Sequence, residues 1–139
     1  MRLLPIFLLL TVVIVHSGAT GASAAEPCDT ASSSQADLNE CYGKAYKKSD
    51  DELNGLYKQI TTRLKDDAAT TKLLVTAQKA WVAFRDAECN FSTSGSAQGS
   101  VYPMIQSICL DGLTSKRIDD FKSYLKCEEG DLSCPVPAH

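Results

Sequence analysis

The chain has 139 residues, with 17 acidic and 14 basic side chains and a formal net charge of −3. That length suits one domain around one core, and the acidic balance argues against nucleic acid or an anionic membrane surface as a partner. Its two histidines are His16, in an apolar leader, and the terminal His139, so the usual Ser/His or Cys/His nucleophile pairs are missing from the body of the chain.

Residues 1–25 read as a cleaved signal peptide. Arg2 begins it, an apolar run from Leu3 to Val15 follows, and Ala22-Ser23-Ala24-Ala25 supplies small-residue processing positions. The run is about 13 residues, too short to span a bilayer comfortably, so no stable membrane insertion is expected. Removing the first 24 of 139 residues leaves 115, with 17 acidic against 13 basic side chains and a formal charge of −4.

In the remaining chain, Ser34 and Asp37 have the spacing of a helix-opening capping box. Apolar or small residues then recur at Leu38, Cys41/Tyr42, Ala45, Ser49, Leu53, Leu56, Ile60 and Leu64, which predicts a long amphipathic helix near 34–66. Gly43 and Gly55 within it are expected to mark close contacts or a bend. Asp50-Asp51-Glu52 reads as a solvated face. A second helix is expected near 70–91, with Leu73/Leu74, Ala77, Trp81, Phe84/Arg85 and Glu88/Cys89 as its stripe. Ser92–Ser100, with two glycines among serines, is a loop. Ser100 and Pro103 then open a third helix near 101–126, in which Met104/Ile105, Ile108, Leu113, Ile118, Phe121 and Leu125 form the apolar pattern. The tail, 127–139, is irregular. The expected fold is an all-α antiparallel bundle of three to four helices occupying 26–126, packed around Trp81.

All six cysteines follow the leader, an even count that reads as disulfides in an exported chain. Zinc is the rival, but there is no Cys-x-x-Cys pair and the only histidine after the leader is the terminal His139, so no metal and no cofactor are expected. The arm from Cys28 is long enough to fold back to Cys41, two turns into the first helix. Cys89, late in the second helix, can reach Cys109, early in an antiparallel third. Cys127 and Cys134 remain to clip the tail, which is expected to tether little of the core.

Trp81, Arg85 and Cys89 share one helix face at i, i+4 and i+8. With Gln78 and Asp86 they form a structural core motif in which Trp81 fills the bundle and Arg85 pairs with a carboxylate from another helix. Asp86 and Glu88 point away from each other on a helix and are surface or ion-pair charges. No catalytic residue and no enzyme activity are expected.

The ordered set Cys28, Leu38-Asn39-Glu40-Cys41, Tyr46, Asp50, Leu53, Asn54, Tyr57, Ala77-Gln78-Lys79-Ala80-Trp81, Phe84-Arg85-Asp86-Ala87-Glu88-Cys89, Gly99-Ser100, Met104, Cys109-Leu110, Leu113-Thr114 and Arg117 resembles the LprI-like lysozyme-inhibitor domain of small exported bacterial proteins. The resemblance covers about residues 28–125. It implies a helical, disulfide-bonded, periplasmic or secreted protein that binds a lysozyme. The chain departs from the family in having no lipid-attachment signal, and Cys127 and Cys134 lie outside the pattern. The expected contact residues are Ser96 and Gln98 in the loop, with Lys116 and Arg117 on the third helix; Arg117 also fits the structural reading given to Arg85, a buried stem paired with a carboxylate. The competing reading is a structural or stress-related module that binds another envelope partner.

Overall fold

The capping box predicted from Ser34 and Asp37 opens α1 (Gln35–Arg63). The Ser34 Oγ accepts the Asp37 N–H at 3.3 Å, and the Asp37 carboxylate accepts the Ser34 N–H at 3.0 Å. Its hydrogen bonds from the Ser34 side chain and backbone hold the Asp37 carboxyl below its ordinary range. The computed structural model describes Cys28 and residues 33–138; the leader, its processing point and His139 lie outside the described residues.

α1 continues through Gly43 and Gly55, and a Cβ at either position would meet nothing within 4 Å. The expected close contacts are therefore absent at both. α2 (Ala68–Ser92) begins earlier than its apolar pattern, because Asp67 caps it by accepting the Thr70 N–H at 2.9 Å. A short turn at Ser94–Ser96 leads to α3 (Tyr102–Leu125), with Pro103 in its first turn. Ser100 does not cap α3; its carbonyl instead accepts the Asn39 side-chain amide at 2.9 Å, joining the loop to α1. Among the described residues there is no strand, and no helix is long and apolar enough to cross a membrane.

Consecutive helices are antiparallel. Cys89 meets Cys109, Arg85 reaches Thr114 and Arg117 reaches Gln78, so α2 and α3 run in opposite directions. α1 and α3 consequently run the same way: Gln35 lies by Met104, Ser49 bonds Asp111, Tyr57 packs on Phe121, and Arg63 donates to the Leu125 carbonyl at 2.9 Å. That parallel pair forms the most extensive interface of the fold, with α2 laid chiefly against α3.

The core consists of Leu53, Ile60 and Leu64 from α1 and its end, Ile118 and Phe121 from α3, and Val136 from the tail. Trp81 is half-buried at its edge, not at its centre, because α2 packs on one flank of the α1–α3 pair. The buried line of α3 runs Thr114, Ile118, Phe121, and Ile108 falls outside it, 42% exposed. On α2 the inward line is Leu74, Gln78, Trp81, Arg85, Cys89; Leu73, Ala77, Phe84 and Glu88 face outward. The expected stripe mixed these two neighbouring lines, which differ by about 100° of helix rotation per residue.

The three disulfides are Cys28–Cys41, Cys89–Cys109 and Cys127–Cys134, with Cα separations of 6.0, 5.7 and 5.6 Å. The third does more than was expected of it. Gly130 adopts φ +88°, the left-handed conformation that glycine tolerates best, and the clipped tail turns back so that Val136 is 2% exposed inside the core. Pro135 and Val136 cover the gap between the end of α1 and the start of α2.

Candidate functional site

Two guanidinium groups lie near the Trp81 ring. The Arg85 guanidinium carbon lies 5.2 Å from the Trp81 ring centroid and 5.5 Å from that of Tyr46. Arg117 lies 5.9 Å from Trp81 and 4.6 Å from Phe121. Arg85 is buried, and its donors are taken by Asp50 of α1 at 3.0 Å and by Asp86 at 2.9 Å, with Thr114 at 3.5 Å. Burial is the largest influence on Arg85 and disfavours its charge, yet the hydrogen bonds to Asp86 and Asp50 outweigh it and raise its pKa. Arg85 is thus a fixed cation that ties all three helices together.

Asp50 lay hidden in the acidic run read as solvated. Each member of that run has a cation: Asp50 has Arg85, Asp51 has Lys47, and Glu52 has Lys122 of α3 at 2.8 Å. The available signal was position, since Asp50 follows Tyr46 by four residues and precedes Leu53 by three, on the face that meets the other helices. Beside Arg85, the side chains of Tyr46, Asp86, Asn90, Gln106 and Leu110 line a polar hollow of about 330 Å³. Burial pushes the Tyr46 hydroxyl pKa up, with Arg85 opposing.

Of the two expectations for Arg117, a surface contact or a buried, paired stem, the structure has the second. The Arg117 side chain is only 12% exposed, with Nε donating to the Gln78 Oε1 at 3.2 Å and NH1 to Asp120 at 3.3 Å. The reason is its neighbourhood: Trp81 and Phe121 offer aromatic faces, and the stem fills space between α2 and α3. Lys116, one residue earlier, is exposed.

The loop between α2 and α3 is a second feature, at the end of the bundle. Thr93 is buried and its hydroxyl donates to the Cys89 carbonyl at 2.6 Å. The Ser96 N–H bonds the Thr93 carbonyl at 3.0 Å, Ala97 bonds Ser94 at 3.2 Å, Gly99 bonds Ser96 at 2.8 Å and Tyr102 bonds Gly99 at 3.1 Å. A Cβ at Gly99 would come within 3.3 Å of the Ser96 carbonyl oxygen, so the closeness of this turn favours glycine. Gln98 is exposed and Ser96 half-buried. Together with the Cys89–Cys109 disulfide at its base, these bonds fix a short, largely exposed polar loop. Lys116 stands about 21 Å along α3 from the loop by helical rise, so the four expected contact residues do not form one cluster.

The family model described as "Lysozyme inhibitor LprI" matches residues 28–121. An uncharacterized protein of Rhizobium meliloti (strain 1021) is 30% identical over 131 residues, covering 86% of this chain and 94% of that relative. No solved structure matches.

Proposed function

This chain belongs to the LprI family of lysozyme inhibitors, and we propose that it blocks a lysozyme by stoichiometric binding, without turnover, in the periplasm or after secretion. The carrying observation is the loop 93–100, a small, largely exposed polar loop held by its own hydrogen bonds and by Cys89–Cys109. A lysozyme cleaves glycan between two carboxyl groups in a cleft. A protein that fills that cleft needs hydrogen-bonding groups on a narrow, rigid element rather than a nucleophile. The fixed loop loses little conformational freedom on binding, and Gln98 at its exposed surface offers both donor and acceptor. The net charge of −3 supplies long-range attraction to a basic enzyme. Three disulfides suit the oxidising compartment where such an enzyme works.

Titrating the oxidised protein against goose-, chicken- and invertebrate-type lysozymes at low salt tests this reading. Lytic rate should fall linearly to an endpoint near one equivalent, and inhibition should weaken as salt rises from tens to hundreds of millimolar. Gln98→Ala should weaken inhibition by about tenfold, the scale of one lost interfacial hydrogen bond, with thermal stability unchanged. Undiminished lysis by all three enzymes at large molar excess would overturn the reading and favour a different envelope partner.

A further inference from the structure

The Arg85 side chain is only 8% exposed, yet its guanidinium is not fully used. Nε donates to Asp86 and NH1 to Asp50 and Thr114, while NH2 has no hydrogen-bond partner among the described residues. No enclosed side-chain nitrogen or oxygen among them lacks a partner, so NH2 reaches open space. That space is the polar hollow of about 330 Å³, which Arg85 lines with Tyr46 of α1, Asp86 and Asn90 of α2, and Gln106 and Leu110 of α3.

The other polar side chains of the hollow also keep hydrogen-bonding capacity. Gln106 Nε2 donates to Asn90 Oδ1 at 2.9 Å, which leaves this pair one carbonyl oxygen and one amide donor group. The remainder is the same if both amides are turned over. Asp86 accepts from Arg85 through Oδ1 and keeps Oδ2. Burial raises the Tyr46 pKa, so that hydroxyl holds its proton and can donate. We propose that this hollow binds one neutral sugar unit carrying an acetamido group.

Charge selects a neutral ligand. Arg85 stands between Asp50 and Asp86, so one positive charge is set against two negative ones and an anion gains no net attraction. A cation would have to meet the N–H groups of the same guanidinium. The hydrogen-bonding groups then select an amide. Arg85 and the free amide donor suit a carbonyl, Asp86 Oδ2 suits an N–H, and Leu110 offers apolar contact to a methyl. Space selects a sugar over a bare amide. A small carboxamide leaves most of the hollow unfilled, with the Tyr46 hydroxyl and the free carbonyl oxygen unserved. Neighbouring ring hydroxyls, each both donor and acceptor, satisfy the two together. The volume lies at the low end for small-molecule sites, room for one ring rather than a chain. The hollow shares no residue with the loop 93–100, so the inference stands independently of the lysozyme reading.

Two-dimensional NMR of the oxidised, isotope-labelled protein titrated with N-acetylglucosamine tests the proposal. Saturable shifts of the Asn90 and Gln106 side-chain amides and of the Arg85 Nε–H are expected, with a Kd of about 1 mM for so few, partly solvated bonds. Glucose and glucosamine, which lack the acetyl group, should bind at least about tenfold more weakly. Asn90→Ala and Gln106→Ala should each weaken binding by about five- to tenfold with the melting temperature unchanged, because the bond between them is exposed. No saturable shift at about 50 mM sugar, or shifts confined to other faces, would overturn the proposal. So would glucose binding as tightly as the acetylated sugar, or variants that bind like the wild type. N-acetylglycinamide binding as tightly as the sugar would make the hollow a peptide-amide site, and tighter binding of acetate would make it an anion site; either result sinks the sugar reading. Failure here leaves lysozyme inhibition intact, since the titration contains no enzyme and Gln98 lies outside the hollow.

Discussion

Arg85 shows how a charge can be part of a core. It is buried with two carboxylates and two aromatic rings around it, so removing the guanidinium takes the cation from Asp50, which keeps only the Asn54 amide, and leaves Trp81 with Arg117 alone. Arg85→Ala is expected to cost about 3 kcal/mol in urea unfolding, while Asp50→Asn, at a partly exposed carboxylate, should cost about 1–2 kcal/mol. Arg85→Lys should rescue little, since an ammonium cannot serve both carboxylates and stack on the rings. Equal stability of Arg85→Ala and wild type would remove this residue from the structural account. The inward position of Arg85 was legible from its spacing to Trp81 and Cys89. Asp50 was not, because a run of three acids looks the same whether or not one of them faces a buried cation. Arg117 stayed between surface and interior for the complementary reason: its burial depends in part on Trp81 of α2, which local spacing on α3 does not record.

At the level of elements, helices were legible and their faces only partly so. Steps of three and four identify a helix and its broad apolar side, and the three helices occur close to where those steps predict them. On α2, however, two apolar lines lie side by side, and which one turns inward depends on Gln78 and Arg85 finding partners. The tail was illegible for another reason. It has no period, so nothing in its pattern distinguishes Val136 as a core residue; the Cys127–Cys134 clip and the turn at Gly130 deliver it there. Val136→Ala should therefore cost on the order of 2 kcal/mol. Replacing both Cys127 and Cys134 by serine should cost a similar amount, because releasing the clip also frees the buried valine. If both variants melt with the wild type, the tail does not contribute to the core.

For the whole molecule, short connections made the antiparallel order of neighbouring helices readable in advance. The parallel closure of α1 on α3 was not readable, since periodicity identifies a face and not the partner that covers it. That closure bears on how fast the chain can fold. The bonds joining α1 to α3, at Ser49–Asp111 and Arg63–Leu125, each span 62 residues, and Asn39 reaches across 61 to Ser100. Closing a loop of that length costs about 3–4 kcal/mol of chain entropy before the principal interface forms. Helical proteins rich in neighbouring contacts escape most of that cost and fold in microseconds to milliseconds. Stopped-flow refolding of the oxidised protein is expected to show a main phase of milliseconds or longer, and completion within about 100 μs would mean that the α1–α3 contact does not limit the rate. Until α3 is available, α1 has exposed apolar residues and no partner for them. A chain delivered from its N-terminus must hold that helix uncovered while the next 60 or so residues arrive, the interval in which such surfaces find the wrong neighbours.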